Sequence, residues 1–222
     1  MKSFNDYTED VFDGLSDEEI AFCERCVASI FEESTSLHYK SYKFDSWGKS
    51  PSTNTLYITG LSGSGKSTLA QKFKDKDTYV IHLDSYFDNP DGPKDSVFGK
   101  YLQAHFPDYT KMSLPKDQID MKDWIKVVDR FSLELEKWSA QCFKEGKKVI
   151  VDGVQILDDT MYPEKKFFAG KPVIIMKTGM LTSIHRGNKR DGKKFSLSNI
   201  SDAMSWKKDI KNFKKGLKNG KK

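Results

Sequence analysis

The chain has 222 residues, 37% of them hydrophobic and 31% charged, with a formal net charge of +5; a length of this order makes one domain, or one domain with an appendage, and buries a sizeable core. No apolar run approaches the roughly 18 to 20 residues that cross a bilayer, and Met1-Lys2-Ser3-Phe4-Asn5-Asp6 lacks the apolar stretch of a secretory signal. A soluble, cytoplasmic protein with no membrane partner is therefore expected, in keeping with three cysteines, Cys23, Cys26 and Cys142, that cannot all pair within one chain.

Residues 1 to 35 carry ten acidic side chains against two basic ones. Ser16-Asp17-Glu18-Glu19 has the form of a capping box, and Ile20, Cys23, Val27, Ile30 and Phe31 follow at helical spacing, which predicts an acidic helix. Cys23 and Cys26 form a C-x-x-C, but no second cysteine or histidine pair stands at zinc-finger spacing, so they read as packing side chains. The segment from Glu32 to Thr53, rich in Ser and Tyr, reads as a connector with Phe44 and Trp47 as anchors. Residues 1–53 are thus expected to be an acidic helical extension and connector.

The first buried strand is predicted at Leu56 to Thr59, and the next nine residues are Gly60-Leu61-Ser62-Gly63-Ser64-Gly65-Lys66-Ser67-Thr68. This run fills G-x-x-x-x-G-K-[ST], the Walker A pattern. Its glycines allow turn conformations in which successive N–H groups point inward at phosphate oxygens. A helix is expected from Thr68 onward, and its N-terminal amides and dipole add positive potential at the same spot. Gly60, Ser62, Gly63, Ser64, Gly65, Lys66, Ser67 and Thr68 are the expected nucleotide-binding residues. Lys66 would reach the β- and γ-phosphates of ATP, and Ser67 would offer its hydroxyl to Mg²⁺.

Further strands are predicted at Tyr79 to Leu83, Lys148 to Val151 and Val173 to Met176, each short and rich in β-branched residues. Residues 86–115, with four prolines and exposed-looking aromatics, are too long for a simple loop and read as an inserted substrate-binding segment. Its Tyr86, Phe87, Tyr101, Phe106 and Tyr109 would either stack on a base or form a small core. From about Lys116 to Glu145, Ile119, Trp124, Val127, Val128, Phe131, Leu135, Trp138 and Cys142 recur mostly three or four apart, which predicts a long helix closed by Gly146. Strands alternating with helices imply an α/β fold, a parallel sheet with helices on both faces and ligands at the strands' carboxyl ends.

Asp84 and Asp152 each close a predicted strand. If those strands flank the one entering Gly60, both carboxylates face the phosphate cup from one rim. Phosphoryl transfer needs charge neutralisation and in-line positioning, so one acid would orient an attacking hydroxyl and the other would organise Mg²⁺. Asp84 is assigned to the hydroxyl and Asp152 to the metal; the geometry also admits the exchange. His82, on a strand face, reads as a packed polar residue rather than a base. After the last strand, Arg186 and Arg190 stand four apart in a basic run and would share a helix face able to clamp a phosphoryl group. Gly187 and Gly192 mark this segment, 178–195, as a lid. Residues 165 to 222 carry seventeen basic side chains against three acidic ones. Residues 196–222 form a basic helix or tail, weakly amphipathic through Ile210, Phe213 and Leu217, that could attract nucleic acid.

Gly60 to Thr68, His82-Leu83-Asp84-Ser85-Tyr86-Phe87, Val149-Ile150-Val151-Asp152-Gly153-Val154 and the Arg-rich segment together resemble the P-loop kinases of small molecules, most closely the uridine kinase and nucleoside or nucleotide kinase group. The resemblance covers roughly residues 54–195 and implies a P-loop NTPase-type sheet. It also implies Asp84 as the base that accepts the hydroxyl proton, and Arg186 and Arg190 as grips on the phosphates. The expected activity is transfer of the γ-phosphate of ATP, with Mg²⁺, to a hydroxyl of a nucleoside, nucleotide or similar small metabolite. Two alternatives stand beside it: a kinase of a nucleic-acid base or terminus or of a nucleotide sugar, as in zeta-toxin-like kinases, and a non-enzymatic nucleotide-binding adaptor.

Overall fold

A computed structural model describes residues 39–89, 93–115, 117–157, 168, 170–178, 183, 184, 186, 189, 192, 208–215 and 217. The expected acidic helix with Cys23 and Cys26 lies outside the described residues. Five strands, β1 (Tyr39–Tyr42), β2 (Thr55–Thr59), β3 (Thr78–His82), β4 (Lys148–Asp152) and β5 (Val173–Met176), form one sheet in the order β1-β5-β2-β4-β3. β2 to β5 are mutually parallel, and β1 pairs antiparallel with β5. This is an α/β fold whose four parallel strands bring their carboxyl ends to one rim.

The pleat sends alternate residues of the parallel strands to opposite faces, both of them apolar at the sheet's centre. Leu56, Ile58, Ile150, Ile174 and Met176 point to one face, where they pack with Leu69 and Ala70 of α1 (Lys66–Phe73). Tyr57, Val149, Val151, Val173 and Ile175 point to the other face and join the larger core. That core is completed by Phe98 and Leu102 of α3 (Val97–His105) and by Val128, Phe131, Leu135, Trp138 and Cys142 of α4 (Met121–Lys144). Helices therefore cover both faces.

The long helix begins at Met121, five residues after the expected start. Asp120 caps it, its carboxylate accepting the Lys122 N–H at 2.8 Å, while Gln118 N–H closes a turn on Pro115 O at 2.9 Å. Gly146, at φ 71°, ends the helix as expected.

The aromatics of residues 86–115 resolve toward core. Tyr86 of α2 (Asp84–Phe87) and Tyr109, in the 3₁₀ turn Pro107–Ser113, are buried. The Tyr86 ring lies 5.8 Å from Phe98, 6.1 Å from Tyr109 and 5.5 Å from Phe131. Phe87, Tyr101 and Phe106 pack partly buried against the same cluster.

The expected anchors of the connector hold: Trp47 Nε1–H is shared between Asn54 O at 3.1 Å and Val149 O at 3.2 Å, and the Phe44 ring sits 5.3 Å from Phe73. Strand β1 was not foreseen in this segment. Residues 208–215 are helical. Phe213 is buried in the larger core, 5.1 Å from Phe168, with Ile210 and Leu217 beside it, so the weak amphipathic pattern is a packing face.

Candidate active site

The glycine-rich run is the junction between β2 and α1. Gly60, at φ 150°, lies so close to β5 that a Cβ there would stand 2.8 Å from Met176 Cβ, and Gly65 takes the left-handed φ of 89° that starts the helix. Leu69 N–H to Gly65 O at 2.9 Å is an early helical bond, so the amides of Lys66, Ser67 and Thr68 precede it at the helix start, where N–H groups lack intrahelical acceptors. Lys66 is buried, its ammonium donating to Gly60 O at 3.2 Å and Leu61 O at 3.0 Å. It therefore lies along the inside of the loop. Ser62, Ser67 and Thr68 are exposed, and Gly63 and Gly65 are half-buried. Thr178 Oγ1–H donates to Ser64 O at 3.2 Å and fastens the end of β5 to the loop.

The two acids share the rim but do not flank β2. β4 is the neighbour of β2, β3 lies one strand further out, and the other flank of β2 is β5. The flanking arrangement considered for Asp84 and Asp152 is thus corrected: both stand on the same side of the loop. Asp152 is level with Ile58 and with His82. With strands about 4.8 Å apart, β3 runs roughly 10 Å from β2, and Asp84 follows its last residue, His82, by two positions, past the helical turn at Leu83. The strand ends are stitched by Gly153 N–H to Ile58 O at 3.2 Å, Thr59 Oγ1–H to Gly153 O at 3.0 Å and Leu83 N–H to Asp152 O at 2.8 Å.

Alternation places Asp152 on the same face as Ile150 and Ile58, the face covered by α1. Its side chain is 3% exposed. Oδ1 lies 2.7 Å from His82 Nδ1, and Oδ2 is buried with no hydrogen-bond partner among the described residues. Ser64 Oγ and Gln155 Oε1 share that condition, so three buried oxygens near this rim lack partners that a buried polar atom ordinarily has. The hydrogen bond to Asp152 raises the imidazole pKa of His82, against the effect of burial, and the charges of Asp152 and Asp84 add to the rise. His82, expected as a packed polar residue, is half-buried and paired with Asp152. Only the register that makes residues 82 and 152 level reveals this pair.

Asp84 opens α2 and is exposed. Asp88, one turn later, has its carboxyl pKa raised by burial and then by the Asp84 charge. Of the expected phosphate grips, Arg186 is helical and half-buried, whereas Arg190 lies outside the described residues, as do Gly187, Lys193 and Lys194. Gly192 has φ 64°.

Among the described residues, no three His, Cys, Asp or Glu side chains cluster tightly enough to hold a metal by themselves. A divalent ion at this rim would take one carboxylate and one hydroxyl from the protein and its remaining oxygens from phosphate and water, which is the usual habit of Mg²⁺. The unpartnered Asp152 Oδ2 and the exposed Ser67 hydroxyl are oxygen donors of the right kind. The rim thus combines a glycine-rich turn with the amides of a helix start, an ammonium, a buried carboxylate and an exposed one. The chain matches no family model, no curated protein and no solved structure.

Proposed function

We propose that the protein is a P-loop-type phosphotransferase that moves the γ-phosphate of ATP, with Mg²⁺, to a hydroxyl of a nucleoside, nucleotide or similar small metabolite. One observation carries the reading: a complete G-x-x-x-x-G-K-[ST] run joins β2 to α1, and the adjoining strand ends in a buried acid, Asp152, with one oxygen unpartnered on the α1 side. A turn that bound nothing would have no use for that unpartnered carboxylate oxygen, which is costly to bury.

The loop amides and Lys66 would hold the triphosphate tail. Mg²⁺, held by Ser67 and Asp152 Oδ2, would neutralise charge on the β- and γ-phosphates. Asp84, outside the cup and open to solvent, is where an acceptor would meet the γ-phosphate. The acceptor oxygen bonds to the γ-phosphorus, the bond from that phosphorus to the β,γ-bridging oxygen breaks, ADP leaves, and the acceptor proton passes to the Asp84 carboxylate. Arg186 would add positive charge to the transferring group.

The test is incubation with labelled ATP, Mg²⁺ and a panel of nucleosides, nucleotides, sugars and oligonucleotides, with Asp84→Asn alongside. We expect label in one acceptor class, and in the variant a 10²- to 10⁴-fold loss of turnover at unchanged ATP affinity, the range general-base removal gives. Full turnover by Asp84→Asn would remove Asp84 from its role, and ATP bound with no acceptor labelled would favour the adaptor.

A further inference from the structure

The rim changes sign along its length. At the β3 end stand Asp84 and Asp88; at the β5 end stand lysines. Lys40 lies in β1 opposite Ile175, and Lys177 follows β5 two residues beyond Ile175. Alternation puts both on the sheet face of Tyr42, Val173 and Ile175. The C-terminal helix packs on that same face through Ile210, Phe213 and Leu217, which carries Lys214 beside them. Three cations from three separate elements therefore converge at one sheet edge.

None of Lys40, Lys177 and Lys214 forms an ion pair among the described residues. Elsewhere lysines do find acids: Lys147 with Asp77 at 2.7 Å, Lys148 with Asp75 at 3.0 Å, and Lys171 with Glu136. Lys214 is half-buried. Burial, and after it the charges of Lys40 and Lys177, lower its pKa, the behaviour of a partly buried ammonium crowded by like charge. Helix packing through Phe213 keeps it there. An anion brought to this edge would relieve the repulsion and find three ammonium groups at once.

We propose that Lys40, Lys177 and Lys214 form a second anion site, distinct from the glycine-rich loop, that takes phosphate groups of a polyphosphate or nucleic-acid strand. Phosphate is the oxyanion whose repeat along a chain suits several lysines in a row. The site stands whether or not the loop transfers phosphate, because none of its residues belongs to the loop.

The experiment uses the full chain carrying Lys66→Ala, which disables the loop. A fluorescein-labelled twelve-nucleotide single strand is titrated by anisotropy over a salt series, and tripolyphosphate is added as competitor. Lys40→Gln/Lys177→Gln, both exposed in the parent, is compared with Lys208→Gln/Lys211→Gln, which removes the same charge from exposed positions of the C-terminal helix. We expect the first pair to weaken binding at least ten-fold at low salt and to lower the slope of log K against log salt by about 1.4, near 0.7 per single-strand phosphate, with a much smaller effect from the second pair. Tripolyphosphate displacing the strand identifies a compact polyphosphate as sufficient; displacement only by unlabelled strand identifies the nucleic acid as ligand. Equal losses from the two pairs, or no binding in the Lys66→Ala chain, would overturn the proposal.

Discussion

A buried carboxylate is an expensive group, and the pairing of Asp152 with His82 shows how this one is kept. With Oδ1 2.7 Å from the imidazole and the side chain 3% exposed, the acid keeps one partnered oxygen and one with no partner among the described residues. His82 therefore acts on any metal only through the orientation of Asp152. Replacing it, His82→Gln, should raise the Mg²⁺ needed for nucleotide binding by about ten-fold, in the range seen when partners of metal ligands are lost; calorimetric titration with ADP over an Mg²⁺ series would read this, and an unchanged requirement would leave His82 a purely structural side chain. Asp75 supplies a second residue-scale expectation. Its carboxyl is lowered from 3.8 to about 2 by Thr78 and Lys148, with the Asp77 amide also bonded to it. The unfolded chain takes up this proton at higher pH than the folded chain, so the contribution is whole above 3.8 and fades as pH falls toward about 2. Asp75→Asn should flatten stability against pH across that window, measured by urea unfolding, with a modest effect because the pair is half exposed.

At the scale of elements, legibility followed burial. β2, β3, β4 and β5 stood out in the sequence because both sheet faces are covered, which favours apolar side chains at consecutive positions. β1, Tyr39-Lys40-Ser41-Tyr42, is an edge strand with three of its four residues exposed, so it carries no periodicity to read, and only pairing with β5 defines it. The long helix was legible through Val128, Phe131, Leu135, Trp138 and Cys142, and Cys142 is a packing thiol whose pKa burial pushes up to about 12. Its start was misplaced because a cap at Asp120 outweighs the apolar Ile119 just before it. The C-terminal helix is held by Phe213, which is 4% exposed. Phe213→Ala should cost about 3 to 5 kcal/mol, the usual range for a buried Phe; chemical denaturation would show it, and a loss below about 1 kcal/mol would mean that this helix is not part of the core. The same variant should weaken strand binding at the lysine edge by releasing Lys214.

Over the whole molecule, loop, acids and lysines lie along one rim because four strands run parallel and deliver their carboxyl ends together. Occupying the loop should therefore stabilise the entire sheet, since β2 leads into it and Thr178 ties β5 to it. At a ligand concentration 100 times its dissociation constant, Mg²⁺ with ATP should add about 2.7 kcal/mol, which for a chain of this size raises the melting temperature by about 5 to 11 °C. Scanning fluorimetry with and without nucleotide would measure the shift, and its absence would count against nucleotide binding at the loop. The sequence by itself determined the α/β class, the buried strands, the glycine-rich junction and the acids near the strand ends, because each depends on neighbours within a few residues. Only the tertiary structure decided that β4 rather than β3 adjoins the loop, that His82 meets Asp152, that the aromatics of residues 86–115 fill the core, and that lysines from three elements share an edge. Those outcomes rest on strand order and register, which bring together residues as far apart as 82 and 152 and leave no periodic mark along the chain.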